Sequence, residues 1–534
     1  MNARILLKLL IAFVMLASLM AQTPLMAQTN EKKLDAVKEF KTYLQKYQDA
    51  PRIIEAVHTL KTNECPEAAA ELVKLFDHKI SDVRMAAVAV LGLFHDDETF
   101  KPYLDQLASL KTFPGRAQII EAIGKAKIKA ALPVFKEVLT RDKKLDVPAR
   151  YGIARALMDI GKPAIKDEIT LLLQDPDPVV RMAAADTVAK LGIRGTGKEL
   201  VPLISDPAWQ VQTAAIAAVA KIRAEEAIDP LIELMRKVGR FKEETADALF
   251  RITKLDFGAE PDEWAKQIKK LREIPGWRIP TDQEVAKAEE SRQKNDAFYG
   301  RKKEDKLKFG GITTTSTNVL FIIDISGSME ELVIEHEKFT NGYEDWKKFT
   351  IVRTELTNTI TSLKDNTNFN IIAFATDLHP WKNFLVPANG VNKDAALSWV
   401  KRLKPLGGVE AQEAAQAGLT GTGNVGAGKT NTYKSLMAMF GYDPDKQPLQ
   451  PAGPLTGGAV KLNKESKLDT VFFLSDGRPS TGKFVDMNEI LREVKERNQI
   501  YKIVLHTIAI GEFQKDFMKR LAQDNGGVFV DLGK

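Results

Sequence analysis

One helical pattern recurs through the first half of the chain and limits, more than any other feature, what that half can fold into. SDVRMAAVAVLG begins at Ser81 and DPVVRMAAADTVAKLG at Asp177, each a run of small residues around an arginine. Aligned on that position, Arg52, Arg84, Arg116, Arg150, Arg181, Gln212 and Glu244 follow one another at steps of 31 to 34 residues. A second amphipathic stretch lies between them, as in AAELVKLF, AALPVFKEVL and AIDPLIELM. A helical hairpin of that length has an apolar face it cannot bury alone, so neighbouring hairpins must stack. The pattern predicts an all-α array over residues 35–255. Asp175–Pro176 and Asp206–Pro207 each stand just before a helix, where a carboxylate accepts backbone amides and proline stops the previous element.

On the V-R-M-A-A core in two copies and looser versions elsewhere, the array resembles HEAT repeats of the short, lyase-like subtype. The resemblance implies a solenoid offering an extended surface to protein partners, and it specifies no one function. His58, His78 and His95 are scattered along it and read as surface or helix-end residues. Cys65 is the only cysteine of 534 residues, which excludes an internal disulfide, a Cys-rich zinc site and a CxxC redox pair.

Residues 1–27 carry Arg4 and Lys8, an apolar run from Leu9 to Met20, and small residues at Ala21 and Ala27. That is the layout of a secretory signal peptide. The apolar run rises only about 18 Å as a helix, short of the roughly 30 Å hydrocarbon core, and no later run is long enough to span a membrane. The expectation is an exported protein: periplasmic, secreted or attached to the cell surface. A net charge of +6 spread over the whole chain is too dilute to argue for nucleic acid.

Residues 256–312 read as a closing helix, with Trp264 packing on the last repeat, followed by a charged linker. Beyond it the period changes. NVLFIIDIS, FNIIAFAT, DTVFFLSDG and KIVLHTIAIG are continuous apolar runs separated by amphipathic helices. They predict an α/β doubly wound, Rossmann-like domain over 313–534, with a mostly parallel sheet covered on both faces. WKNFLV, Trp381–Val386, fits an antiparallel edge strand. His506, inside its apolar run, reads as a satisfied core residue.

Ligands of such sheets sit beyond the carboxyl ends of the strands. There the first strand ends in Asp324-Ile325-Ser326-Gly327-Ser328, whose alternation offers one carboxylate and two hydroxyls to a common point. Hard oxygen donors of this kind suit Mg²⁺. Thr430 in KTNTYKSL and Asp476 in FFLSDG stand where they can add two more oxygens. With these three pieces in order, the second half resembles the von Willebrand factor A domain and its metal-ion-dependent adhesion site. The resemblance implies a divalent cation, Mg²⁺ with Mn²⁺ or Ca²⁺ as alternatives, held by Asp324, Ser326, Ser328, Thr430 and Asp476. It further implies that the serines and the threonine bind directly while the aspartates often act through water. Neutral hydroxyls leave the ion's charge partly uncompensated, so it accepts a carboxylate from a protein partner and acts as a docking point, not as a catalyst.

Two departures accompany the resemblance. Gly428-Lys429-Thr430-Asn431 stands where the family usually has GGTN, and two insertions, about 405–428 and 441–466, fall near the metal face. They form either a specificity rim or tolerated surface excursions. Two rival readings stay open. One is a scaffold with a vestigial metal site. The other is a nucleotide-binding enzyme, since Gly423–Thr430, GNVGAGKT, satisfies G-x-x-x-x-G-K-[ST]. A phosphate loop follows directly from a buried strand, whereas EAQEAAQAGLTGT precedes Gly423, and the nucleotide reading leaves DISGS unused. The remaining histidines and Ser475 assemble no nucleophilic or acid–base constellation.

Overall fold

A computed structural model describes residues 30–161, 165–237, 239–299, 307–334, 343–408, 428–445, 467–511 and 515–532. The signal-peptide segment, most of both insertions and Gly423–Ala427 lie outside the described residues. Those described form two compact units, the first running to Thr187 and the second starting at Val188. Among them no helix is long and apolar enough to cross a membrane.

The first unit is helical, and its recurring arginine has a definite task. Arg84 donates to the carbonyl of His78 at 2.6 Å and Arg181 to that of Asp175 at 2.7 Å, both six residues upstream. In the second unit, Gln212 makes the equivalent bond to Asp206 at 2.7 Å. The repeated position thus closes the loop leading into its own helix, satisfying a carbonyl that the helix leaves orphaned. Arg116 reaches across to Asp142 at 2.9 Å, while Arg150 does both, donating to the carbonyl of Leu145 in its own loop and to Asp175 at 2.6 Å. Small residues let the repeat helices approach closely. A Cβ added at Gly124, in the helix Arg116–Ala126, would lie 2.6 Å from the Cα of Ala156 in the helix Val147–Ile160.

The second unit begins with the last repeats. The closing helix Pro261–Arg272 buries Trp264 completely, with its indole N–H on the carbonyl of Gly258 at 2.8 Å and its ring edge-on to Phe257. After the helix Asp282–Tyr299, residues read in the sequence as the end of the linker form a hairpin, β1 (Leu307–Phe309) and β2 (Ile312–Thr314). Phe309 is fully buried, edge-on to Phe321 and Phe472. The hairpin is therefore part of the core of the α/β domain, held there by tertiary packing that its charged, glycine-containing sequence does not announce.

The sheet comprises β3 (Asn318–Asp324), β4 (Asn368–Phe374), β5 (Leu378–Pro380), β6 (Val386–Pro387), β7 (Thr470–Ser475), β8 (Val504–Ala509) and β9 (Phe529–Asp531). Its order is β5-β4-β3-β7-β8-β9, parallel except for β5 and β6, which both run antiparallel to β4 at the edge. The continuous apolar runs have a simple cause. Phe321 and Ile323 of β3 face a core with Ile351, Val352, Leu356 and Val400, while Leu320 and Ile322 face a second core with Tyr433, Leu436, Ile490 and Leu521. Both faces are covered by helices, so the central strands are mostly apolar, and their polar side chains, such as Asn370 of β4 and His506 and Thr507 of β8, are buried with hydrogen-bond partners.

At the amino ends of β7 and β8, Arg240 of the last repeats donates to the carbonyls of Asp469 at 3.1 Å and Lys502 at 2.9 Å, and its guanidinium lies over the Trp209 ring. The repeats and the sheet of this unit are therefore joined by a buried, charge-assisted contact at the end of the strands remote from Asp324.

Candidate metal centre

β3 and β7 are adjacent parallel strands with Ile323 opposite Leu474, so their carboxyl ends release two turns side by side. Asp324, fully buried, accepts the Ser326 amide on Oδ1 at 2.8 Å and the Ser475 hydroxyl on Oδ2 at 2.5 Å. That fixes the first turn. Ser326 and Ser328 bring their hydroxyl oxygens to 3.3 Å from each other, and Ser328 Oγ donates to Asp476 Oδ1 at 2.9 Å.

Thr430 arrives on a third segment. Its amide donates to Ser480 Oγ at 2.8 Å and its carbonyl accepts the Ser480 amide at 2.9 Å. The Asn431 amide donates to the Ala375 carbonyl at 2.9 Å beyond the end of β4, and its side chain caps the helix Thr432–Ala438 through the Lys434 amide. Gly477 then lies between the pieces: a Cβ there would sit 3.2 Å from Thr430 Oγ1 and 3.5 Å from Ser328 Oγ. All five residues singled out in the sequence, Asp324, Ser326, Ser328, Thr430 and Asp476, thus converge on one glycine-floored spot. Lys429, the departure in GKTN, is exposed, and its backbone exchanges hydrogen bonds with Thr376 Oγ1.

The donor set fits a hard divalent cation. It consists of two carboxylates and three hydroxyls, with no nitrogen or sulfur. Among the described residues no group of three or more His, Cys, Asp or Glu side chains gathers as a metal cluster, and this spot brings together two carboxylates with hydroxyls. Electrostatics point the same way. Burial raises the Asp324 pKa well above the usual carboxylate range, and the charge of Asp476 raises it further. Two buried carboxylates so close together call for positive charge.

Sequence reasoning missed part of the surroundings. Lys348 opens the helix Lys348–Ser362, is buried, and places Nζ 2.8 Å from Asp476 Oδ2 and 2.7 Å from Glu331 Oε2. Burial works to lower its pKa, but Asp476 and Glu331 together hold it above the ordinary value. A lysine at a helix start carries no spacing signal. Ser475, next to a predicted ligand, is the anchor of Asp324; its signal was the SDG turn itself. His506 is buried as expected, its Nδ1 accepting the Val528 amide at 3.1 Å.

The model of the HEAT repeats matches residues 166–249, and that of the von Willebrand factor type A domain matches residues 345–531, a span that holds Thr430 and Asp476 and starts after Ser328. Inter-alpha-trypsin inhibitor heavy chain H4 of Homo sapiens is 27% identical over 219 residues, 41% of this chain and 18% of that protein. Heavy chain H1 of Mesocricetus auratus is 24% identical over 218 residues, 40% of this chain and 18% of that one. The chain thus spans less than a fifth of the length of these relatives. Among solved structures, a von Willebrand factor type A protein from Catenulispora acidiphila aligns with a TM-score of 0.26 at 18% identity, covering 41% of this chain and 39% of that one. The conserved hypothetical protein BatB from Bacteroides thetaiotaomicron aligns with a TM-score of 0.25 at 12% identity, covering 40% of this chain and 90% of that one. From the matched models, and from the α/β sheet and helical repeats described above, the chain carries a von Willebrand factor type A domain behind a run of HEAT repeats.

Proposed function

We propose that this is an exported, non-enzymatic interaction protein whose C-terminal domain holds a divalent cation, Mg²⁺ or a similar ion, and uses it to dock an acidic side chain of a protein partner. Asp324, Ser326, Ser328, Thr430 and Asp476 hold the ion, and the HEAT repeats supply a second protein-binding surface. The observation that carries this reading is the convergence of two carboxylates and three hydroxyls at the carboxyl ends of β3 and β7. The hydroxyls orient the ion without neutralising it, leaving charge for a carboxylate from outside. Its similarity to inter-alpha-trypsin inhibitor heavy chains supports an interaction role over an enzymatic one. The first 27 residues support export.

The test is capture. Immobilised chain should retain a partner from the exported fraction in Mg²⁺ and release it to chelator, and Ser326→Ala should retain none. Retention that ignores both chelator and substitution would contradict the reading and favour recruitment by the repeats alone.

A further inference from the structure

Resting on that metal reading, we propose that Lys348 is a counter-cation built into the site: its ammonium neutralises Asp476 in the metal-free domain and competes with the divalent ion for that carboxylate, so the chain holds its ion weakly and exchangeably. The lysine is placed for this by its backbone. Its amide donates to the Glu331 carbonyl at 3.0 Å, while Val333 donates to the Trp346 carbonyl at 2.9 Å, so the segment after the DISGS turn and the start of the helix form a short antiparallel pair. From there the side chain runs inward, buried, to divide its hydrogen bonds between Glu331 Oε2 and Asp476 Oδ2. Gly511, just past the end of β8, lies against it, with the position of a Cβ there 3.5 Å from Lys348 Cε, an ordinary packing distance.

The charges explain the arrangement. Asp324 and Asp476 are both buried and close enough for one charge to disturb the other. Without a cation, that pair would oppose folding of the metal-free domain. The Lys348 ammonium offsets part of this repulsion through direct contact with Asp476. The same ammonium lies beside the spot where a doubly charged ion would sit, and like charges at short range in a partly buried site repel strongly. One residue therefore stabilises the empty site and weakens the loaded one. A purely structural lysine would not have these opposed effects, because its removal would only loosen both states.

The experiment is calorimetric titration of Mn²⁺ into the full chain, with the metal-free melting temperature measured alongside. Lys348→Met should bind Mn²⁺ about tenfold tighter or more, while melting lower in chelator. Lys348→Arg, which keeps the charge, should stay within about threefold of the wild type. If Lys348→Met does not fold, Glu331→Gln carries the test at a position 59% exposed. With the competing carboxylate gone the ammonium turns wholly to Asp476, and Mn²⁺ binding should weaken several-fold. Unchanged or weaker Mn²⁺ affinity in Lys348→Met, or unchanged affinity in Glu331→Gln when Lys348→Met does not fold, would overturn the proposal. A wild type that binds no Mn²⁺ would instead overturn the metal reading beneath it.

Discussion

His506 shows how one buried residue sets a pH limit. Its ring stacks on Phe472 with centroids 5.0 Å apart, and its Nδ1 must stay unprotonated to accept the Val528 amide. Burial, and then the charge of Arg240, lower its pKa from 6.5 to about 4. As pH falls below about 6.5 the unfolded chain takes up a proton that the folded chain refuses. This contribution to stability is therefore whole above that pH and is lost progressively down to about 4, at most about 3 kcal/mol. His506→Gln, which keeps an acceptor and does not titrate, should lose less urea resistance than the wild type between pH 7 and pH 4.5. Equal losses would contradict this account. The buried, satisfied state of His506 was legible from its place inside an apolar run. The role of Lys348 was not, because nothing in WKKFT separates a lysine that folds back into the domain from one that faces solvent.

At the scale of elements, the strands were readable because burial on both faces leaves a continuous apolar run, as in NVLFIID. The hairpin β1–β2 was hidden for the opposite reason: among its described side chains only Phe309 and Ile312 are buried large apolar ones, set in a charged stretch. The repeat helices were readable through their small residues, and the same residues make them fragile. Gly124→Val would drive a branched side chain into the backbone of Ala156, where even a Cβ is placed at 2.6 Å. The expected cost is about 1–3 kcal/mol, seen as a lower melting temperature of the full chain. Gly390→Ala, where a Cβ meets nothing within 4 Å, should melt with the wild type. A Gly124→Val chain that also melts with the wild type would mean that the helices Arg116–Ala126 and Val147–Ile160 do not pack this tightly.

At the scale of the whole molecule, the second unit ties the last repeats to the amino ends of β7 and β8 through Arg240, and its candidate metal centre lies at the carboxyl ends of β3 and β7. With one cysteine in the chain, packing and such contacts hold the fold without a disulfide. Convergence of the candidate ligands was expected because DISGS and SDG end adjacent parallel strands, where chain direction brings them together, whereas Thr430 leads into the helix Thr432–Ala438 and ends no strand among the described residues. Of the residues that hold these candidates in place, Ser475 was signalled only by the SDG turn, and Ser480 and Asn431 carried no signal, since their partners lie on segments far away in sequence.

Ion binding is the claim on which the rest depends, and thermal unfolding of the full chain in millimolar Mg²⁺ or Mn²⁺, with and without chelator, tests it most directly. A site that binds in the folded state alone must raise the melting temperature of the C-terminal domain. The account predicts a rise of several degrees that chelator reverses and that Asp324→Ala abolishes. A wild type whose melting ignores the metal, or an Asp324→Ala chain that gains the same protection, would contradict it.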